Sequence, residues 1–449
     1  MTKLFQLPQT ATAPFCPSEV KGSIQIDSQQ SFFSQIKKFL GPGLLVSIGY
    51  MDPGNWATDI AAGSKFGYQL LFMVLFSSFA AMLLQYLSLK LGIVSEVDLA
   101  QNIKKNYSPK ANFFSWIFAE IAMIATDLAE VLGSALAIKL LFGLDLTYGI
   151  LITALDSLIV LGLKGKGFRQ IEAIMLGLVS TIGICFFVQL YVVKPELTEV
   201  LSHIIPSQST LLNSEAIFLA IGILGATVMP HNLYLHSSIV NTRKIDSHKA
   251  SKKAAIKFSA IDSTASLLIA LIVNASILIL ASKTFNQNGH HHVTEIDQAY
   301  QMLTPLVGSF ASVLFGVGLL AAGQSSTLTG TIAGQVVMDG HMEFKIPCWK
   351  RRLITRSLAL LPALIGVSIL GENSTGRLLV LSQVVLSLQL PFALYPLIKF
   401  TSNRSIMSEF TNGRLTQIIS WFLFMSISLA NVWLIYSLFN SGFSSVPLG

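Results

Sequence analysis

The sequence predicts an all-α membrane protein of eleven transmembrane helices, built as a five-plus-five inverted repeat in which helices 1 and 6 are discontinuous. Three observations carry that expectation. Apolar runs recur along almost the whole chain, Lys and Arg gather in alternate loops, and two of the apolar runs are broken by proline motifs at matching places.

Of 449 residues, 52% are hydrophobic and 12% charged, about half the charged share of a soluble domain. A bilayer core asks for about 20 apolar residues per helix. Runs of that kind lie at 41–66, 68–93, 113–142, 147–163, 170–193, 214–240, 258–282, 303–338, 352–370, 377–398 and 415–440. A soluble protein of this length would split into domains joined by polar linkers. Here the gaps are short, so the chain reads as one membrane domain over 41–440, between a polar tail at 1–40 and a short tail at 441–449.

The formal charge of +7 is distributed by side. Numbering the loops by alternation puts 23 of the 30 Lys and Arg on the N-terminal side, six of them (Arg243, Lys244, Lys249, Lys252, Lys253 and Lys257) in one loop. The opposite side holds 5: Lys65, Lys139, Lys194, Lys283 and Arg377. The positive-inside rule then expects a cytoplasmic N-terminus and, after eleven spans, an external C-terminus. The basic excess is a topology signal rather than a nucleic-acid footprint. The bilayer is the expected partner, with no obligate protein partner.

The first 38 residues contain no apolar core of a signal peptide. Cys16, Cys185 and Cys348 are too scattered for a disulfide framework or a cysteine metal cage. No GxxxxGK[ST] loop is present, which argues against an ATP-driven pump. With no catalytic triad or nucleophile elbow either, neither an enzyme nor a resident cofactor is expected.

The interruptions are the informative features. Span 1 carries Asp52-Pro53-Gly54-Asn55 inside an apolar run, and span 6 carries Met229-Pro230-His231-Asn232 inside another. Proline removes a backbone donor and crowds the preceding turn, so each helix is expected to unwind there. Aligning Pro53 with Pro230 also aligns Asn55 with Asn232, at an offset of 177 residues. That register suggests repeats over about 41–193 and 214–398, with 415–440 an extra helix. Because five spans is an odd number, the second repeat runs inverted. Unwound backbone at bilayer depth is tolerated only inside protein or beside a cavity, and paired breaks of this kind point to a transport site near the midplane.

The breaks offer a particular set of ligands. Asp52 supplies a carboxylate, Asn55 an amide oxygen, Met229 a thioether, and the unwound turn frees the Ala226 carbonyl. A carboxylate at membrane depth is costly without a partner, and a cation is the simplest one. Oxygen donors suit Mn²⁺, Mg²⁺ and Ca²⁺ alike. The soft thioether gains little from Mg²⁺ and Ca²⁺ but tolerates Mn²⁺, Fe²⁺, Co²⁺ and Cd²⁺, which makes Met229 the selectivity element.

DPGN in span 1 and MPHN in span 6 resemble the paired motifs of the NRAMP family, the natural resistance-associated macrophage proteins, and especially its bacterial proton-coupled manganese transporters. GQSSTLTGTIAGQVVMDG (323–340), RRLITR (351–356) and SQVVLSLQLPFA (382–393) also resemble that family, over about residues 40–440. The resemblance implies the LeuT-like fold of sodium-coupled amino-acid symporters and alternating access. It also implies import of Mn²⁺ or Fe²⁺ together with H⁺, both as substrates. Asp52, Asn55, Met229 and the Ala226 carbonyl would hold the metal, and Gln383 would approach it in some states. His231 and His236 match the family too. Compact loops suit a bacterial inner-membrane protein.

Span 3 carries Glu120, Asp127 and Glu130. At about 100° per residue these fall within about 80° of one another, on one helix face. Carboxylates in a row inside a bundle suit a proton relay, or else a set of hydrogen-bonded structural acids, and Glu120 fits either. For Asp127 and Glu130 the resemblance favours the relay, with Arg352 and Arg351 of span 9 as countercharge. His231, two residues from Met229, either passes protons or hydrogen-bonds the broken helix.

Other polar residues are read more plainly. His290, His291 and His292 form a loop triplet that either gathers metal or is ordinary polar loop. Gln85, Asp156, Asp262 and Asn274 are expected to hydrogen-bond across helices. The competing function is a symporter of the same fold for an amino acid or for Mg²⁺. An amino-acid carboxylate binds at a broken-helix N-terminus without an Asp and a Met, and hydrated Mg²⁺ needs no thioether. A channel is a further alternative, separated by flux saturation and proton coupling.

Overall fold

The computed structural model describes residues 21–26, 32–155, 168–342, 348–371 and 375–441. In chain order they form β1 (Ile24–Gln25), α1 (Phe32–Phe39), α2 (Pro42–Gly49), α3 (Pro53–Phe66), α4 (Leu71–Ser95), α5 (Leu99–Asn106) and α6 (Pro109–Phe142). There follow α7 (Leu146–Thr153), α8 (Phe168–Val193), α9 (Leu197–Ser202), α10 (Gln208–Leu212), α11 (Ser214–Val228) and α12 (Pro230–Ile239). The chain continues with β2 (Arg243–Lys244), α13 (Lys249–Thr284), α14 (Ile296–Val307), α15 (Ser309–Met342), α16 (Cys348–Leu370), α17 (Thr375–Thr401), α18 (Arg404–Met407) and α19 (Arg414–Ser441).

Among the described residues eight helical stretches are long and apolar enough to cross a membrane. The first, Pro53–Ser95, joins α3 to α4 and so covers parts of two expected spans. Expected span 4 falls partly on 156–167, outside the described residues, and α16 contributes the shorter apolar stretch Leu360–Ile369. The chain is a predominantly helical integral membrane protein in which α2/α3 and α11/α12 are discontinuous helices.

One boundary differs from expectation. Span 8 does not run unbroken from 303: α14 ends at Val307, Gly308 turns at φ 112°, and α15 starts afresh at Ser309. A positive φ is open to glycine at little cost, and the run of apolar residues on both sides hid the turn. Two short elements of the N-terminal tail reach the bundle. β1 pairs in parallel with β2, and α1 packs on α13 through Phe39 stacked on Phe258 at 5.6 Å.

Helices inside a membrane gain little from apolar burial against lipid, so close packing through small residues takes over. α6 and α15 pack together along much of their length, α13 lies against α2 and α3, and α17 against α6 and α11. A Cβ placed on Gly133 of α6 would stand 2.1 Å from the Pro53 ring, and one on Gly225 of α11 would stand 2.2 Å from the Gln383 carbonyl. Those approaches clamp both broken helices against α6 and α17. The indole of Trp56 fills the space beside α3, edge-on to Phe186 and Phe315 at 4.8 and 5.1 Å.

The start of α2 is held by charge. Asp262 of α13 accepts from the backbone N–H of Gly43 at 2.7 Å and of Gly41 at 3.2 Å, a carboxylate at a helix N-terminus where the dipole favours it. Arg243 donates to the Leu40 carbonyl at 2.9 Å and pairs with buried Glu172 at 2.8 Å. Gly41-Pro42-Gly43 is thus a helix start locked to α13.

Candidate metal centre

Both halves of the site come from helices that stop and restart. After α2 ends, the N–H groups of Tyr50, Met51 and Asp52 reach back only three residues, to Ser47, Ile48 and Gly49 at 3.1, 3.0 and 3.3 Å. The Trp56 indole donates to the Met51 carbonyl at 3.2 Å, satisfying one group the break sets free. α3 restarts on Pro53, where a missing N–H costs nothing, and Asp52 is its N-cap, accepting from the Asn55 N–H at 2.8 Å. In the second helix Met229 alone forms the break, at φ 35° and ψ 101°, and α12 restarts on Pro230. Such a backbone costs of order 1–3 kcal/mol and persists only where its surroundings enforce it. Pro53 and Pro230 are therefore both first helical residues, and Asn55 and Asn232 both third, as the sequence register implies.

The breaks meet through Asn55. Its Nδ2 donates to Asp52 Oδ1 at 2.7 Å and to the Ala226 carbonyl at 3.0 Å. Ala226 lies in the last turn of α11, where carbonyls lack intrahelical donors. Asn274 of α13 donates to Asn55 Oδ1 at 3.3 Å and to the Tyr50 carbonyl at 2.8 Å. Gln383 of α17 lies against the first break, since a Cβ on Gly54 would stand 1.9 Å from its Nε2. Asp52 Oδ2 and Gln383 Oε1 are both buried with no hydrogen-bond partner among the described residues. Met229 Sδ accepts from Asn232 Nδ2 at 3.4 Å. All five predicted metal ligands are at most 1% exposed.

The structure thus joins Asp52, Asn55 and Ala226 directly, sets Gln383 on the same turn, and makes Met229 the second break with its sulfur on Asn232. Chemically this is a sealed set of oxygen acceptors with too few donors, and a thioether on the opposing break. A cation supplies what such a set lacks.

α6 carries the three acids in two environments. Asp127 and Glu130 are buried, at 7% and 1% exposure, and a Cβ on Gly330 of α15 would stand 2.4 Å from Glu130 Oε1. Glu130 lies within one turn of Gly133, which touches Pro53. Glu120 instead accepts from Trp116 Nε1 of its own helix at 2.8 Å. Thr126 Oγ1 meets His231 Nδ1 at 3.1 Å, connecting α6 to α12. His236 Nδ1 meets Gln85 Oε1 at 2.9 Å, and Gln85 donates on to the Tyr50 hydroxyl at 2.8 Å. Arg351 and Arg352 belong to α16, but their side chains lie outside the described residues, as does Asp156.

Asp59 was not singled out from the sequence. It is 1% exposed on α3, seven residues after Asp52, and its Oδ2 has no hydrogen-bond partner among the described residues. That spacing returns to within about 20° of the same helix face, a signal available from the sequence. Gln85, Asn274 and Asp262 do bridge helices, as expected. In the histidine triplet the His290 and His292 rings stand edge-on at 6.0 Å, while the His291 ring meets Asn286 at 3.0 Å. No group of three or more His, Cys, Asp or Glu able to hold a metal occurs among the described residues, so a metal centre at the breaks adds amide, carbonyl and thioether donors to the one carboxylate of Asp52.

The divalent metal cation transporter MntH of Ralstonia nicotianae is 56% identical over 437 residues, covering 97% of this chain and 99% of its own. Divalent metal cation transporter MntH 1 of Pseudomonas aeruginosa is 58% identical over 437 residues, covering 97% of this chain and 100% of its own. A crystal structure of the Eremococcus coleocola manganese transporter superposes with a TM-score of 0.88 at 37% identity, over 96% of this chain and 93% of that one. The inward-facing form of Mhp1 shares the fold at 14% identity, with a TM-score of 0.56 over 97% of this chain and 93% of that one. The family model described as natural resistance-associated macrophage protein-like matches residues 43–437. With nearly the whole membrane domain matched, the chain belongs to the natural resistance-associated macrophage protein family.

Proposed function

We propose that the chain is a secondary transporter that imports divalent transition-metal ions, Mn²⁺ or Fe²⁺, into the cytoplasm together with protons. The observation that carries this reading is the single Asn55 amide bridging Asp52 Oδ1 and the Ala226 carbonyl. That donor occupies the point where a cation would satisfy both oxygens at once. Turning the amide presents Oδ1 instead of Nδ2, which converts a hydrogen-bonded bridge into three oxygen ligands around one ion. Asp52 Oδ2 and Gln383 Oε1 add acceptors, and the Met229 thioether adds the soft contact that favours Mn²⁺ and Fe²⁺ over Mg²⁺ and Ca²⁺.

A site this buried has to open first to one side and then to the other, which is alternating access. The discontinuous helices α2/α3 and α11/α12 are the elements to move, because each can pivot at its break. A proton released from Asp52, or arriving beside the metal, leaves through Glu130 and Asp127 on α6, with His231 reached from Thr126 and Arg352 and Arg351 as countercharge beyond. The Lys and Arg bias supports a cytoplasmic N-terminus and α1–β2 side, and the compact loops suit a bacterial inner membrane.

The test is Mn²⁺ uptake into proteoliposomes with internal pH recorded alongside. Asp52→Ala is expected to bring uptake to background, and Glu130→Gln to keep metal flux while reducing the accompanying acidification. Wild-type uptake and acidification in both variants would overturn the reading.

A further inference from the structure

A cavity of about 400 Å³ lies away from the metal centre, among α4, the first turns of α13 and the segment leading into α19. Its wall includes three amines, Lys90, Lys249 and Lys253, and one carboxylate, Glu409. Glu409 pairs with Lys249. Lys90 is the unusual member, only 5% exposed on a membrane-spanning helix. Its ammonium donates to Asn412 Oδ1 and stands 5.3 Å over the Tyr86 ring. Both partners are neutral; they orient the charge without compensating it. No carboxylate among the described residues pairs with Lys90. A buried ammonium of this kind is costly until an anion joins it, and the cavity has room for one.

Place decides which anion. Lys90 stands five residues before the end of α4, about 7.5 Å along the helix axis, near the end of a membrane-spanning helix. The cavity is on the same side of the bundle as α1 and the Lys-rich loops. From its rim at Thr416, α19 presents the exposed apolar row Leu415, Ile418 and Phe422, at 71%, 66% and 62% exposure, a track for a hydrocarbon chain. A soluble phosphate would have no use for that track. Basic pockets between transmembrane helices on the cytoplasmic side suit anionic lipid headgroups. We propose that this cavity binds the phosphate of an anionic glycerophospholipid, with Lys90 and Lys253 on the headgroup and the acyl chains along α19.

The experiment uses the delipidated full chain in detergent, read by native mass spectrometry and thermal unfolding. Phosphatidylglycerol, phosphatidylcholine and millimolar inorganic phosphate are added in separate arms. Expected is binding of phosphatidylglycerol at least about tenfold tighter than phosphatidylcholine, with a rise in melting temperature that phosphate does not reproduce. Lys90→Met is expected to abolish that preference. The surface double variant Lys249→Gln/Lys253→Gln should weaken it, and keeps the test open if Lys90→Met does not fold. Equal binding of the two lipids, protection by inorganic phosphate as strong as by phosphatidylglycerol, or an undiminished preference in the variants would overturn the proposal.

Discussion

Asn55 of the first broken helix donates to the backbone carbonyl of Ala226 in the second, at 3.0 Å and across 171 residues of sequence. The same nitrogen reaches Asp52, so one amide holds the two breaks in register. Removing it leaves Asp52 Oδ1 and the Ala226 carbonyl without that shared donor and, in the proposed site, takes one ligand from the metal. Asn55→Ala is therefore expected to weaken Mn²⁺ binding by about 10- to 100-fold or more, the range seen when metal-site support is lost. Titration calorimetry on the purified variant checks this, and an unchanged dissociation constant would remove Asn55 from the ligand set.

Met229 is the only residue between α11 and α12, and its backbone sits at φ 35° with its sulfur on Asn232. A residue used only for packing would be exchangeable for another apolar side chain. A soft ligand would not be. Met229→Ala is expected to keep part of the Mn²⁺ flux while admitting Ca²⁺ or Mg²⁺, measured by radiolabelled Mn²⁺ uptake with each ion as competitor. Unaltered discrimination would show that the thioether does not select.

The two breaks were legible because proline at the centre of an apolar run has few other meanings, and because Pro53 and Pro230 share an offset with Asn55 and Asn232. What a one-dimensional pattern withholds is partnership. Nothing in the spacing announces that Asn274 would hold both Tyr50 and Asn55, or that Gln85 would stand between His236 and Tyr50. Those pairings depend on helix packing, which small residues permit without specifying. Gly308 escaped notice for a related reason: one glycine among apolar residues looks like helix until its φ of 112° is seen. Asp59 differs, since its spacing from Asp52 was visible and simply outweighed by the louder DPGN motif.

Arg243 and Glu172 form a buried ion pair at 2.8 Å, with side chains 1% and 6% exposed, and the pair braces the start of α2. Breaking a buried pair from one side is far costlier than removing both charges, because the survivor stays desolvated. Arg243→Gln is expected to destabilise the protein by about 3–5 kcal/mol. Arg243→Gln/Glu172→Gln should recover part of that loss. Thermal unfolding of the three proteins in one detergent checks the order, and a double variant worse than the single would show that the pairing is not the source.

Asp98 lies outside the membrane-spanning segments, as the N-cap of α5, and accepts from the Gln101 N–H at 2.8 Å in a capping box. Burial lifts its carboxyl from 3.8 to about 7, against the lowering pull of the Gln101 and Ala100 amides and of Lys21. A carboxyl raised in the folded chain holds its proton more tightly there than in the unfolded chain. Its contribution therefore favours the fold most at low pH and declines as pH climbs from about 4 to about 7. Asp98→Asn removes the titration and keeps an N-cap side chain. The variant is expected to lose less melting temperature than wild type between about pH 5 and about pH 8, each measured at constant ionic strength. Parallel melting curves for the two proteins across that range would mean that Asp98 does not set the slope.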